Sequence, residues 1–208
     1  TKNLLTKMKK DELIDRILNV MRKKGAQVIR MNQLSIETQV NSKVLREHFS
    51  TKEEVFEAGI RKVLNNHKVA TKLVKADETL HPIVKVARIY KIVLTELMQY
   101  HPSFFFHIQK HYRKLYQQIE NYNNLLFEQE IPALLHQAKS QGIIISQINL
   151  DLFSKVQLSE SQLLIENIYP AYLDKKEELI GVLLTRLRGL LKKEYFHLLD
   201  KEIASIDK

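Results

Sequence analysis

Residues 39–55 read QVNSKVLREHFSTKEEV, and this stretch decides how the chain folds. It joins a short polar helical pattern to a second amphipathic pattern through Ser50 and Thr51. A helix of about ten residues is marginally stable alone, so tertiary contacts have to hold it. Phe49 is predicted to provide such a contact by packing into the core. Thr51 with Glu54, or the same pairing one residue earlier, offers a capping box for the next helix. The stretch predicts a short helix, a tight turn and a long helix.

Two more helices are predicted upstream of this stretch. Residues 10–24 carry an apolar stripe at helical spacing, and Gly25 follows as a natural helix end. Residues 32–38 predict a second short helix, and residues 39–41 a turn into the third. Helix, turn and helix in this order are typical of a DNA-binding motif.

The third helix exposes side chains that form hydrogen bonds. Val40, Val44 and Leu45 are predicted to point inward, whereas the exposed arc holds Asn41, Ser42, Lys43, Arg46 and Glu47. Lys52 lies at the start of the fourth helix, where free N–H groups and the helix dipole favour a phosphate. The alternative is that this restart serves capping alone.

The net charge of +9 lies in one part of the chain. Residues 1–75 hold 17 Lys or Arg against 8 Asp or Glu, and residues 76–208 hold 16 of each. A basic surface confined to a small domain indicates a polyanionic partner, because released counterions supply much of nucleic-acid affinity. The alternative is an ordinary solvated charged face.

These residues resemble the helix-turn-helix domain of TetR/AcrR-type transcriptional regulators. The matching positions are Gly25, Leu34-Ser35, Thr38-Gln39-Val40-Asn41, His48-Phe49 and Thr51-Lys52-Glu53-Glu54-Val55. The resemblance covers about the first 65 residues, and LLTRLRGLL at 183–191 is similar to the family's last helix. It implies double-stranded operator DNA as partner, with contacts from Arg30, Gln33, Asn41, Ser42, Lys43, Arg46, His48, Thr51 and Lys52.

Three positions depart from the family pattern. Gln39 replaces the usual turn glycine, Arg46 replaces a common tyrosine, and Arg30 stands where a threonine usually caps the second helix. A glutamine enters the left-handed backbone region only at a cost, so we expect a strained or reshaped turn. We expect Lys43 to contact phosphate rather than guanine.

The whole chain is predicted to be all-α, with about nine helices. It has five Gly, four Pro and no Cys, and helical periodicity recurs throughout. We expect a DNA-binding domain over 1–50, a linking fourth helix over 51–75, and a helical effector-binding and dimerisation domain over 76–208. The later helices are predicted at 82–100, 102–122, 123–142, 149–168 and 174–200, with a bend at Pro132. No membrane span or signal peptide is predicted, so the cytoplasm is the expected location.

An effector pocket is predicted from the aromatic residues of the middle third. Nine of the sixteen Phe and Tyr residues lie between positions 90 and 127. Such clusters suit a small apolar or amphipathic molecule, and the resemblance also implies an effector there. The expected lining is Val93, Leu97, Phe105, Ile108, Tyr112 and Tyr116. The alternative is ordinary core packing.

No catalytic or cofactor motif stands out. The chain lacks a Gly-rich phosphate loop, a Gly-x-Ser-x-Gly elbow and a His-Glu-x-x-His pair. His107 and His111 share one helix face, but no carboxylate completes a metal site with them. We therefore expect no enzyme activity, no metal and no cofactor.

The last two predicted helices, 149–168 and 174–200, are apolar enough to pair with a second copy, although burial within one chain is the alternative. A homodimer would place two third helices on two half-sites of DNA. The sequence thus predicts a ligand-responsive homodimeric repressor. The rival interpretation is a helical dimer that binds a ligand or partner and has lost specific DNA recognition.

Overall fold

The computed structural model describes residues 9–25, 30–101, 103–163 and 175–204. Within them the fold is all-α, as predicted, and the only pairing of extended backbone is one bridge between Ile144 and Leu191. The helices are α1 Lys10–Lys24, α2 Met31–Thr38, α3 Ser42–His48, α4 Lys52–Ala76, α5 Pro82–Leu97, α6 Ser103–His111, α7 Arg113–Leu125, α8 Ile131–Ser140, α9 Leu150–Leu163, α10 Lys176–Arg188 and α11 His197–Ala204.

Contacts divide the chain into two compact units. The first unit comprises Thr1–Asn65 and Tyr100–Gln117, and the second comprises Asn66–Gln99 and Gln118–Lys208. Helix α6 therefore belongs with the helix-turn-helix and not with the later helices. The sequence-based domain boundaries at 50 and 75 remain a prediction about function, because contacts group the chain in a different way.

The core of the first unit follows the predicted apolar faces. Its buried members include Leu13, Ile17, Leu18, Met21, Leu34, Val40, Leu45, Phe49, Val55, Phe56 and Ile60. Helices α1 and α4 meet closely at Gly59, where an added Cβ would lie 3.1 Å from a Leu18 methyl carbon. Gly25 ends α1 with φ 68°, a backbone conformation that favours glycine. Leu45 of α3 and the following Phe49 are buried in this core, so tertiary contacts hold the short helix.

Two of the predicted helices are each divided in the structure. The predicted helix 102–122 breaks at Tyr112 into α6 and α7. The Tyr112 ring packs 4.9 Å from the Phe56 ring, centroid to centroid, so the distortion occurs at a residue held by a distant part of the chain. The predicted start at Pro102 lies outside the described residues.

The predicted helix 174–200 also breaks. Helix α10 ends before Gly189, and the following backbone pairs with a loop: Ile145 N–H donates to the Leu190 carbonyl at 3.0 Å, and Lys192 N–H donates to Ile143 at 2.9 Å. A 3₁₀ turn at Lys193–Tyr195 then leads to α11. These long-range backbone bonds replace helical ones, which periodicity does not reveal. The predicted residues 164–168 lie outside the described part of the chain.

Helices α7 and α8 are joined by a π-helical segment, Leu126–Glu130. The Ile131 N–H donates to the Leu126 carbonyl, one residue further back than in an α-helix. Pro132 follows at once, and its ring is incompatible with regular α-helical bonding to the turn before it. The hydrogen-bond pattern thus changes where a bend was predicted, and the bend itself stays a prediction.

The described residues contain no helix long and apolar enough to cross a membrane.

Candidate functional site

The turn between α2 and α3 is closed around Gln39. This residue has φ 55° and ψ 35°, the left-handed conformation expected from its position. Val40 N–H donates to the Ser35 carbonyl at 3.1 Å, and Gln39 N–H donates to Ile36 at 3.2 Å, which together form a Schellman motif. The Ser35 hydroxyl donates to the Val40 carbonyl at 2.6 Å. The turn therefore forms with glutamine in place of glycine.

Asn41 has a structural role at the start of α3. It is the N-cap residue, and its Oδ1 accepts the Lys43 N–H at 2.8 Å. This cap satisfies one of the free N–H groups of the helix. The predicted DNA contact of Asn41 stays a prediction, and the cap is an additional role that the residue type favours.

The remaining predicted DNA-contact residues lie on three neighbouring elements. Lys43 and Arg46 on α3 are exposed, as are Arg30 before α2 and Thr51 before α4. Half-buried positions are Gln33, Ser42, His48 and Lys52. Arg30 forms the N-cap of α2 without a side-chain hydrogen bond. The exposed charges on α3 are consistent with an interface.

The start of α4 has the capping box that the sequence predicts. Thr51 Oγ1 accepts the Glu54 N–H at 3.2 Å, and the Glu54 carboxylate accepts the Ser50 N–H at 2.7 Å. The box is thus Thr51 with Glu54 and not the pairing one residue earlier. It leaves the first turn of α4 rigid, with Lys52 beside it.

Lys52 lies in an electropositive environment. Its ammonium is 5.3 Å from the centre of the Phe56 ring. Partial burial lowers the pKa of Lys52, and the nearby Arg30 guanidinium lowers it further. A phosphate beside these two cations would relieve their repulsion, so the start of α4 is suited to an anion.

An open groove of about 220 Å³ lies between α1 and the end of α2. It is lined by Arg16, Asn19, Val20, Lys23, Lys24, Glu37, Thr38 and Gln39. Lys24 pairs with Glu37, while the Arg16 guanidinium bonds Glu12 and the Thr38 carbonyl. These contacts connect α1 to the end of α2 and the turn, so the groove has a structural role in the helix-turn-helix.

The six predicted effector-lining residues do not lie in one unit. Val93 and Leu97 belong to the second unit, whereas Phe105, Ile108, Tyr112 and Tyr116 belong to the first. Phe105 packs against the rings of Tyr100 and Phe104, with centroids 5.8 and 5.2 Å away. Phe104 and Phe105 therefore contribute to packing within the first unit, whereas Phe106 is 61% exposed.

The second unit contains buried polar side chains that the sequence pattern did not predict. Among the described residues, His67 Nε2, the Tyr90 hydroxyl and the Ser154 hydroxyl are buried without a hydrogen-bond partner. His67 is 6% exposed, and its ring lies 6.0 Å from that of Tyr122. Groups of this kind cost stability unless something pairs with them. The i, i+4 pair of His67 and Thr71 within α4 was the available signal.

The pKa shifts of three buried side chains, His67, Tyr122 and Tyr90, have a common cause. Burial lowers the pKa of His67, against the opposing effect of the Glu96 carboxylate. Burial raises the pKa of Tyr122 to about 12, with the nearby Thr71 hydroxyl acting in the opposite direction. Burial also raises the pKa of Tyr90, whose ring stacks on Phe127 at 5.7 Å. These three side chains are therefore neutral near pH 7 and offer hydrogen bonds rather than charge.

The rings of His107 and His111 lie 4.6 Å apart on α6. His101, the other histidine near them in sequence, has its Nδ1 within 2.8 Å of the Ser103 hydroxyl. The part of the chain that the structure describes holds no group of three His, Cys, Asp or Glu arranged for a metal ion.

Comparisons with known proteins show that this chain is similar to them in structure. No protein-family model and no curated protein sequence matches the chain. A TetR-family transcriptional regulator from Marinobacter aquaeolei VT8 has a TM-score of 0.72 at 18% identity, covering 96% of this chain and 99% of that one. The ketosteroid transcriptional regulator KstR2 of Mycobacterium tuberculosis has a TM-score of 0.62 at 15% identity, covering 88% and 95%.

A third similar structure is PfmR, a TetR-family transcriptional regulator from Thermus thermophilus. Its TM-score is 0.59 at 16% identity, and the match covers 80% of this chain and 97% of that one. The three matches extend well beyond the first 65 residues that carry the sequence resemblance. The chain therefore has the fold of TetR-family transcriptional regulators.

Proposed function

We propose that the protein is a homodimeric transcriptional repressor that binds operator DNA and releases it when an effector binds. One observation carries this proposal: the capped, exposed α3 lies in the unit that holds the entire net charge. The first unit contains 17 Lys or Arg and 8 Asp or Glu, whereas the second contains 16 of each. The fold, shared with known regulators, supports the same function.

The nine predicted residues form the DNA interface, and their roles in it differ. Lys43 and Arg46 project from α3 and meet the major groove, Arg46 at base edges and Lys43 at phosphate. Arg30, Thr51 and Lys52 hold phosphates at the starts of α2 and α4. The other predicted DNA-contact residues are Gln33, Asn41, Ser42 and His48. Asn41 contributes chiefly by capping and so orienting α3.

The effector binds in the second unit. Val93 and Leu97 remain its proposed apolar contacts, and His67, Thr71 and Tyr122 are added as polar ones. A small amphipathic molecule fits this set, because it pairs with buried neutral hydrogen-bonding groups while covering apolar surface. By binding one of two states more tightly, it shifts the protein away from the DNA-binding form.

The dimer forms through α9 and α10, which lie within the last two predicted helices. Most of the predicted apolar face is buried within the chain, including Leu183, Leu187, Leu190 and Leu191. Large apolar side chains nevertheless remain exposed there: Leu152 at 59%, Val156 at 44% and Val182 at 58%. A two-fold contact over these residues would cover them. We place this regulator in the cytoplasm, with its DNA.

The rival is a helical protein that binds a ligand or partner and has lost specific DNA recognition. It rested on the departures at Gln39 and Arg46. Since Gln39 closes a complete Schellman turn, that departure leaves the geometry of the motif intact, which favours the DNA-binding function. No catalytic activity is part of the proposal.

The test is selection of bound sites from random double-stranded DNA with the purified protein at near-physiological salt, followed by sequencing. A palindromic motif of two half-sites is expected. The Arg46→Ala variant is the control, since it keeps the fold and should lose or change that motif. Weak, salt-sensitive binding without any enriched sequence would favour the rival function.

A further inference from the structure

We propose that the end of α6 is a second DNA-binding surface, which contacts backbone phosphates beside the half-site read by α3. The surface, called the α6 basic patch, consists of His107, Lys110 and His111. The proposal rests on the proposed function, because it concerns the same DNA duplex. It adds a contact from an element that the sequence analysis placed in the effector domain.

Helix α6 is anchored in the unit that carries the recognition helix. His101 N–H, just before α6, donates to the Arg22 carbonyl of α1 at 3.1 Å. Within α6, the Phe104 ring lies 6.3 Å from the Phe56 ring of α4. Residues 100–117 contain three Lys or Arg and no Asp or Glu. This segment thus contributes three of the nine net charges of the first unit.

A continuous row of contacts connects the α6 basic patch with the phosphate site at the start of α4. The Lys52 ammonium lies 5.3 Å from the Phe56 ring centre, and that ring is 4.9 Å from Tyr112. Tyr112 is 5.9 Å from His107, whose ring is 4.6 Å from His111. The α6 basic patch therefore extends the cationic surface of Lys52 within the same unit.

The three patch residues share one helix face, because their spacing is i, i+3 and i+4. Lys110 and His111 are exposed, and His107 is half-buried. None of the three forms an ion pair with any described residue. The Lys110 ammonium lies 5.9 Å from the centre of the Phe106 ring, which is itself 61% exposed. The apolar ring helps hold the cation at the surface.

The electrostatics of the α6 basic patch favour an anionic partner. Burial lowers the pKa of His107, and the nearby Lys52, His111 and Lys110 lower it further. Burial raises the pKa of Tyr112, and the nearby Glu53 carboxylate of α4 raises it further. Like charges crowded together repel one another, and a row of phosphates relieves that repulsion. A DNA backbone, with its regular phosphates, matches a row of cations better than a single ion does.

The first test measures affinity for a double-stranded DNA of mixed sequence over a range of salt concentrations. Lys110→Gln is expected to weaken binding several-fold and to reduce the slope of log affinity against log salt by about 0.9 per protomer. The matched control is Lys201→Gln, an exposed lysine near the end of α11 in the second unit. It should change neither quantity. Equal behaviour of the two variants would overturn the proposal.

The second test uses pH. A phosphate favours the charged imidazole, so the affinity of the native protein should rise as pH falls from about 7.5 to about 5.5. The double variant His107→Gln, His111→Gln should lose most of this rise in affinity. It keeps the other nearby titratable groups, which are Lys52, Lys110, Tyr112 and Glu53. An unchanged pH dependence in the double variant would exclude the two histidines from the surface.

Lys52→Gln separates failure of this inference from failure of the proposed function. If Lys52→Gln weakens binding while Lys110→Gln does not, DNA binding stands and the α6 basic patch plays no part in it. If the native protein shows no salt-dependent binding to the duplex, both proposals are wrong.

Discussion

The two compact units of this chain differ in how their buried polar side chains are paired. In the first unit, polar side chains form caps, as at Asn41 and Thr51, and the buried Thr38 hydroxyl donates to the Leu34 carbonyl at 2.6 Å. In the second unit, polar side chains such as His67 and Ser154 are buried, and apolar ones such as Leu152 are exposed. The first pattern suits a charged partner in water. The pattern of the second unit suits a ligand that pairs with the buried polar groups. It also suits a second copy of the chain that covers the exposed apolar side chains.

The largest expected effect concerns the core of the first unit. Phe56→Ala removes a fully buried ring that contacts Phe104 and Tyr112. We expect a loss of about 3–5 kcal/mol in the free energy of unfolding. Urea denaturation measures it, with the exposed Leu152→Ala of the second unit as control. A loss below about 1 kcal/mol would show that α6 is not packed on α4 as described.

The exposed apolar residues of the second unit predict a change in assembly. Val156→Glu, on α9, introduces a charge into the proposed dimer contact and should shift the protein from dimer to monomer at micromolar concentration. Sedimentation equilibrium detects the shift. The control is Val69→Glu, because Val69 is also exposed, at 61%, but lies on α4. A dimer that persists in the Val156 variant and dissociates in the control would move the interface to α4.

Two side chains of the first unit should separate base readout from phosphate contact. Arg46→Ala is expected to cost about 1–3 kcal/mol at its preferred base pair and to relax selectivity there. Lys52→Ala should weaken binding about equally for all sequences and reduce the salt slope by about one. Anisotropy titrations with selected and scrambled duplexes compare them. If both variants merely scale affinity, bases are read from another element.

The buried histidine of the second unit predicts a pH effect on stability. The folded state lowers the pKa of His67 below its ordinary value near 6.5. Near that pH the His67 imidazole is protonated more readily in the unfolded chain than in the folded protein. The free energy of unfolding therefore falls as pH decreases from about 7 to about 5. His67→Leu should reduce this dependence in thermal unfolding scans, while His197→Leu, at an exposed site, should not. Parallel curves for His67→Leu and the native protein would mean that His67 is solvated.

The smallest expected effect is at the turn of the first unit. Gln39→Gly removes a side chain from a left-handed residue and should stabilise the protein by about 1 kcal/mol. Chemical denaturation at constant pH measures it, with Gln33→Gly as a control that should destabilise a helix interior. A destabilised Gln39→Gly variant would mean that its side chain makes a contact worth more than the backbone strain.

Parts of the fold and site were predictable because they depend on neighbouring residues. The Thr51 and Glu54 capping box, the left-handed Gln39 and the apolar faces of α1 to α4 all follow from local spacing and chain chemistry. The assignment of Asn41 to DNA contact shows the limit of that reasoning. One exposed Asn at a helix start serves equally as a cap or as a base reader, and the sequence pattern is the same for both.

Errors arose where distant parts of the chain meet. The break at Tyr112 coincides with its packing against Phe56, and the break after Arg188 coincides with backbone pairing to residues 143–145. Neither place has a proline, and the glycine at 189 is compatible with a continuing helix. The predicted ligand pocket stays a prediction, with its residues in both units, because aromatic spacing does not say which partner each ring packs against.

The sequence by itself determined the all-α fold, the helix-turn-helix and the excess of positive charge, since periodicity, caps and composition act over a few residues. Only the tertiary structure decided that α6 belongs with the helix-turn-helix, that His67 is buried, and that the leucines of α10 are covered by their own chain. Burial and unit membership depend on contacts between residues far apart in sequence. The cationic surface near α3 therefore extends to α6, which local patterns alone assign to the other half of the protein.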